Sequence, residues 1–249
     1  MCDHANDSAG RPWPQAGRER MIVPAPVGRI GTDIPDPEMN LLKKMDADHV
    51  FMMGDNPALP RMPAKPKLID FFKLRFGDIT IRHLTVSAKR ALDAGEPDKV
   101  VLAVLLHDIS NGCFVRADHG YWGAQMIAPY VDEEIAFAVK YHQPLRYFAD
   151  EAAGYAYPES YKSFFGPDYE PPEYIRRDHD FARQHKYYGI ARAVTNYDIY
   201  FFDDVPPFDP EIFTDIIGRT FREPEEGLGF DSSPVAHMWR TMIWPNNFL

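Results

Sequence analysis

The chain has 249 residues, a formal net charge of -10, 45% hydrophobic residues and 26% charged residues. This length suits one large domain with extensions, and the composition is that of a soluble globular protein. The excess of acidic residues excludes an extended nucleic-acid surface, because such surfaces need a basic stripe to neutralise phosphates.

The number of cysteines and the length of the apolar runs indicate the cellular compartment. The two cysteines, Cys2 and Cys113, cannot make a disulfide framework, and free thiols fit a reducing compartment. The first twenty residues contain no apolar run of signal-peptide length. No stretch approaches the roughly 18 apolar residues of a membrane span. We therefore expect a soluble, cytoplasmic protein without a membrane partner.

Proline is concentrated at the start of the chain. Ten of the 23 prolines lie in the first 66 residues, where they interrupt any long helix. Only the segment "DPEMNLLKKMDADHVFMM" predicts a short helix there. We interpret residues 1–66 as a Pro-rich N-terminal extension that precedes a core over residues 67–205.

From about residue 68 the pattern predicts helices. The segment "DITIRHLTVSAKRALDAG" places Ile79, His83 and Leu92 near one helical face and closes at Gly95. A continuous apolar run follows Pro97 in "EPDKVVLAVLLHDIS", which predicts a buried helix. Two shorter helices are predicted in "DHGYWGAQMIAPY" and "DEEIAFAVKYHQ".

The second half of the chain combines a loop with further helices. Residues 145–172 are rich in Tyr, Pro and Gly and predict a long loop with at most short helical turns. Helicity returns in "RRDHDFARQHKYYGIARAVTNYDIYFF" and "EIFTDIIGRTF", and residues 206–249 read as a C-terminal helical extension. No alternating strand pattern occurs, so the predicted class is all-α.

Four histidines on or at the ends of predicted helices form the strongest chemical signal, together with one aspartate: His83, His107, Asp108, His119 and His142. An unpaired charge in a buried helix costs several kcal/mol, so the aspartate is best explained as bound to cations. Imidazole nitrogen and carboxylate oxygen suit Zn, Mn, Fe or Ni. The 24-residue interval between the first two histidines fits antiparallel helices.

These residues resemble the HD-domain superfamily in its dinuclear form, with the pattern H, HD, H, H, D. The matching segments are His83, "LLHDIS", His119, His142 and a later aspartate. The resemblance implies an HD-domain helical bundle around two metals. Asp198 in "ARAVTNYDIYFFDD" best matches the last aspartate, with Asp203 and Asp204 as rivals. The implied metal ligands are His83, His107, Asp108, His119, His142 and Asp198, and Asp108 would bridge the metals as a catalytic residue.

Dinuclear HD proteins include phosphohydrolases and a diiron oxygenase branch that contains myo-inositol oxygenase and phosphonate-cleaving enzymes. "HGYWGAQ" resembles the H-x-x-x-G-A segment of the phosphonate group, and Arg146 in "YHQPLRYF" occupies the position of its phosphonate-binding lysine. "PESYKSFFG" is similar to the loop that carries a substrate-binding serine, which implies substrate roles for Ser160 and Lys162.

The resemblance therefore implies a mixed-valent Fe(II)/Fe(III) pair that uses O2 on a small polar or anionic substrate, with phosphonate-like and polyol-like substrates both open. The alternative is a phosphohydrolase of a nucleotide or phosphomonoester that uses Mn, Mg or another divalent metal. A homodimer, to which the N-terminal extension could contribute, also stays open.

Two segments depart from the family pattern. Ser110 and Asn111 stand where relatives commonly have glycine followed by lysine or histidine. Phe76 and Asp78 precede His83 without matching the Tyr and Glu of the phosphonate enzymes. We therefore expect a different substrate.

Overall fold

A computed structural model describes residues 59–112, 118–166, 168–198 and 205–244, which all lie in one compact unit, residues 53–249. The helix predicted in residues 36–53 lies outside this described part, as do both cysteines, Asp203 and Asp204. Within the described part there is no β-strand, and only an isolated bridge joins Asp150 to Tyr155. This confirms the all-α class. No helix in the described ranges has the length and apolar character needed to cross a bilayer.

Ten α-helices make up the described part of the chain. They are α1 (Leu68–Leu74), α2 (Asp78–Asp93), α3 (Asp98–Leu106), α4 (His119–Ile127), α5 (Glu133–Leu145), α6 (Glu159–Phe165), α7 (Glu173–Gln184), α8 (Tyr188–Tyr197), α9 (Thr214–Thr220) and α10 (Ala236–Ile243). Short 3-10 helices span Ile109–Gly112, Glu151–Ala153 and Pro210–Phe213.

Helices α3 and α5 lie at the centre of the bundle. Every residue of α3 from Val100 to Leu106 is buried, as its unbroken apolar run predicts. Helix α5 packs against α3, α4, α7 and α8. The turn between α2 and α3 is closed by Gly95, whose φ of 77° favours glycine because it has no Cβ. Helices α2 and α3 therefore lie side by side, as the 24-residue histidine interval predicts.

The C-terminal residues share the hydrophobic core with α1. Trp239 of α10 is fully buried, meets Phe71 at 4.9 Å between ring centroids and donates from Nε1 to the carbonyl of Met126 at 3.1 Å. The Glu223 carboxylate accepts the amide N–H of Leu68 at 3.0 Å. This bond satisfies a free donor in the first turn of α1.

The structure differs from the predicted helix boundaries in two places. Helicity predicted through residues 176–202 is interrupted between α7 and α8, where His185 is extended and its ring stacks on Phe137 at 4.1 Å between centroids. Tyr187 donates its amide N–H to Nδ1 of His185, which stabilises the break. In the predicted loop over residues 145–172, the structure has one seven-residue helix, α6, and one 3-10 turn.

Candidate metal centre

Five structural elements bring the six predicted ligands together. His83 comes from α2, His119 from α4 and His142 from α5. His107 and Asp108 follow directly after the last residue of α3. The sixth residue is Asp198 at the C-terminal end of α8, whose side chain is only 1% exposed. All six side chains are buried.

One half of the cluster joins His83, His107 and Asp198. The Nε2 atoms of the two histidines are 2.9 Å apart. Oδ1 of Asp198 lies 3.3 Å from Nε2 of His83 and 3.4 Å from Nε2 of His107. One carboxylate oxygen and two imidazole nitrogens thus face a common point.

The other half joins His119, His142 and Asp108. The Nε2 atoms of the two histidines are 3.2 Å apart, and Oδ1 of Asp108 lies 3.1 Å from the first and 3.6 Å from the second. The second oxygen of Asp108, Oδ2, is 3.5 Å from Nε2 of His83 in the opposite half. Asp108 therefore extends one carboxylate oxygen toward each half.

Backbone carbonyls orient two of the imidazoles. Nδ1 of His107 lies 2.6 Å from the carbonyl oxygen of Val104, and Nδ1 of His142 lies 2.6 Å from that of Val139. An Nδ1–H that donates to a carbonyl leaves the Nε2 lone pair of the neutral ring for a metal. Each carbonyl belongs to the residue three positions before its histidine. A histidine that follows an apolar helical turn is therefore the sequence signal for this contact between Nδ1 and a carbonyl oxygen.

The carboxylates lack ordinary partners. Among the described residues, Oδ1 of Asp108 and both oxygens of Asp198 are buried without a hydrogen bond. Burial raises the pKa of each carboxyl, but the surrounding imidazoles, His107 above all, outweigh burial and hold both pKa values well below their usual range. Two ionised carboxylates buried among imidazole nitrogens are an arrangement that a bound cation stabilises.

The pKa values of three clustered histidines are shifted in different directions by burial and by the carboxylates. Burial lowers the pKa of His107, but Asp108 and Asp198 outweigh burial and raise it to about 9. Burial lowers the pKa of His119 to about 3, because Asp108 offsets only part of the effect. Burial also lowers the pKa of His142. Of these three histidines, His107 is therefore the one that carries a second ring proton at neutral pH without metal.

The donor spacing fits metal coordination. Atoms bound to one ion at about 2.1 Å lie roughly 3.0 Å apart at octahedral angles and 3.4 Å apart at tetrahedral angles. The shortest distances within the two halves, 2.9 and 3.1 Å, fall close to this range. Three groups of donors converge within 4.8 Å, and two of them share Asp108. The buried His/Asp cluster can hold metal.

The three predicted substrate residues, Arg146, Ser160 and Lys162, have different surroundings. Arg146 follows α5, four residues after His142, and its guanidinium lies 5.2 Å from the ring of Tyr147 and 5.5 Å from that of Tyr161. It is close enough to His119 to help lower the pKa of that histidine. Lys162 on α6 is half-exposed and forms an ion pair with Glu159.

The side chain of Ser160 lies outside the described atoms, so its substrate role, like those of Arg146 and Lys162, stays a prediction. A separate surface cavity of about 270 Å³ lies between α4, α5 and α7, with Tyr121, Trp122 and Tyr174 in its wall. None of the six clustered residues lines this cavity.

Arg192 of α8 was not among the residues predicted to support the site. Its side chain is fully buried and donates to the carbonyls of Leu145 and Phe148 at 3.1 and 3.3 Å. It also lies over the ring of Tyr155, whose hydroxyl donates to the carbonyl of Arg146 at 2.8 Å. The loop after α5 is therefore fastened to α8. A lone arginine in the otherwise small and apolar run "GIARAV" was the available signal.

No protein-family model matches this chain, and no curated protein matches it significantly.

Proposed function

We propose that the chain is an HD-type dinuclear metalloenzyme, a diiron oxygenase that uses O2 to oxidise or cleave a small anionic or polar substrate. The observation that carries the proposal is Asp108, whose two oxygens face the two histidine pairs at 3.1 Å from His119 and 3.5 Å from His83. A carboxylate in this position suits a bridge between two ions.

The ligand roles follow from the two halves of the cluster. His83, His107 and Asp198 would hold one ion, and His119 and His142 would hold the other, with Asp108 shared. Nitrogen and oxygen donors without thiolate suit iron or manganese. When bound, an Fe(II)/Fe(III) pair would supply O2 activation and hydrogen abstraction from a substrate carbon.

The protein's own residues would bind and shield the substrate. The Arg146 guanidinium is close enough to His119 to help lower its pKa, and a guanidinium suits a bidentate phosphonate or carboxylate. The loop fastened by Arg192 keeps Arg146 in this position. Tyr155, which is buried and fixed to the Arg146 carbonyl, would exclude water from that side. The resemblance of "HGYWGAQ" and "YHQPLRYF" to the phosphonate-cleaving group supports the oxygenase over the phosphohydrolase.

Anaerobic reconstitution with iron tests the proposal. We expect about two irons per chain and, after partial oxidation, a mixed-valent signal in EPR and Mössbauer spectra. Methylphosphonate should perturb that signal in the wild type, and the Arg146→Met variant should lose most of the perturbation. Arg177→Met, at an exposed arginine of α7 with no proposed role, serves as the matched control for the loss of a guanidinium.

Two results would argue against the oxygenase. The first is activity that depends only on Mg, Mn or Co and releases phosphate from phosphomonoesters without O2 uptake, which would establish the phosphohydrolase instead. The second is a wild-type protein that retains no iron, manganese or zinc after dialysis, which would remove the metal centre altogether.

A further inference from the structure

The amide linking His119 to Gly120 is held from both of its polar ends. Oγ of Ser110, which is fully buried, donates to the carbonyl oxygen of His119 at 2.9 Å. Oε1 of Gln143 accepts the N–H of Gly120 at 3.0 Å. The carbonyl and the N–H belong to the same planar peptide group, so the two side chains fix its orientation.

The first turn of α4 has no hydrogen bond from an N-cap side chain. Asp118 occupies the N-cap position, but its φ of 51° is left-handed and its side chain caps no N–H. The first amide groups of a helix have no partner within the helix and need one from elsewhere. Gln143 provides that partner from the neighbouring helix, one residue after His142.

Close approach of α4 and α5 makes this contact feasible. A Cβ atom built on Gly120 would lie 2.7 Å from the carbonyl oxygen of Lys140 and 3.0 Å from that of Val139. The Val139 carbonyl is the one that orients His142. Glycine at position 120 therefore lets the His119 end of α4 contact the turn of α5 that carries His142.

Ser110 and Gln143 form a clamp on this peptide group, and Ser110 approaches it from the segment that carries His107 and Asp108. It lies in the 3-10 turn that follows His107 and Asp108, and its hydroxyl reaches across to the His119 carbonyl. Asp108 and His142 flank His119 at the metal end, at 3.1 and 3.2 Å from its Nε2. Ser110, two residues after Asp108, and Gln143, next to His142, thus hold the peptide group between His119 and Gly120.

We infer that Ser110 and Gln143 are positioning residues for His119, and that together they set the affinity of the His119 and His142 half for its ion. This inference rests on the proposed metal function. Neither side chain is a proposed ligand. Partners that orient a metal ligand typically change metal affinity by about 10- to 100-fold when removed.

The first test uses metal-free protein. In wild type, the Gly120 amide should be protected from hydrogen exchange measured by NMR. Gln143→Met removes the acceptor at similar volume and should speed exchange at least tenfold, whereas Gln143→Glu keeps an acceptor and should retain protection. Unchanged Gly120 exchange in Gln143→Met would overturn the clamp.

The second test titrates Mn²⁺ and follows the EPR signal of the free ion. Wild type should bind two equivalents, and Ser110→Ala and Gln143→Met should each weaken one of the two about 10- to 100-fold. The control is Gln125→Met, at an exposed glutamine on α4, and this variant should bind both ions as wild type does.

The outcomes separate the two proposals. Faster Gly120 exchange with two wild-type-like Mn²⁺ affinities would overturn the positioning role and leave the metal function intact. A wild type that binds no Mn²⁺, Zn²⁺ or Fe²⁺ would overturn the metal function and, with it, the positioning of a ligand, even where Gly120 exchange responds as expected. Circular dichroism and thermal unfolding establish that each variant is folded.

Discussion

Replacing Asp108 by Asn is the sharpest perturbation of the cluster, because the change keeps the shape of the side chain and removes its charge. The Asp108 oxygens lie within 3.8 Å of the Nε2 atoms of all four clustered histidines. Two of the three donor groups contain this aspartate. The substitution also places an NH2 group, which cannot bind a cation, among the imidazole nitrogens.

The expected effect is large. Removing one partner of a buried charge pair costs about 3 to 5 kcal/mol, and each 1.4 kcal/mol is about tenfold in affinity. D108N should therefore weaken metal binding by roughly two to three and a half powers of ten. Both ions should be affected, since the carboxylate faces both halves of the cluster.

Metal content after dialysis and competition with a chromophoric chelator measure this loss. The matched control is Asp93→Asn, a well-exposed aspartate on α2 that pairs only with Lys89 among the described residues. This variant should bind metal like the wild type. Retention of two tightly bound metals by D108N would refute the assignment of Asp108 as the shared ligand.

Three further predictions concern protons and packing. The carboxylates of the cluster raise the pKa of His107 to about 9, so metal must displace its proton at pH 7, and affinity should rise with pH up to about 9. Calorimetry in buffers of different ionisation enthalpy should show about one proton released per chain, and no release would contradict this. Glu223→Ala should lower stability by about 1 kcal/mol and Tm by roughly 2 to 4 °C, unlike the exposed control Glu226→Ala. Arg192→Met removes the guanidinium that donates to the carbonyls of Leu145 and Phe148 and should lower the free energy of unfolding in urea by about 2 to 4 kcal/mol; an unchanged midpoint would contradict this.

Periodicity predicted most of the bundle because its helices are amphipathic or wholly apolar. Gly95 and Pro97 marked the boundary between α2 and α3, since their backbone preferences act locally. The break after α7 was not predicted, because it depends on the stacking of His185 on a ring from α5. That contact is distant in sequence and leaves no periodic signal.

The members of the cluster could also be predicted from the sequence, because local patterns identify them. A buried helix that ends in His107 and Asp108 requires partners for its polar groups, and the other histidines lie at the ends or on the faces of neighbouring helices. The contacts that orient these side chains could not be predicted from the sequence. Gln143 looked like an ordinary residue after His142, and only the approach of α4 to α5 makes it a partner of Gly120. Local patterns identify donors, whereas tertiary distances identify what orients them.

Charge balance gives the strongest argument for the substrate class. The clustered side chains carry two negative charges from Asp108 and Asp198 when the four imidazoles are neutral. The proposed Fe(II)/Fe(III) pair would leave a net charge of about +3 in a buried site, and the Arg146 guanidinium adds another positive charge close enough to lower the pKa of His119. An uncompensated charge of this size is costly away from water, so a bound anion would stabilise it. We therefore expect a substrate with a phosphonate or carboxylate rather than a neutral polyol, and methylphosphonate should perturb the mixed-valent EPR signal more strongly than inositol does.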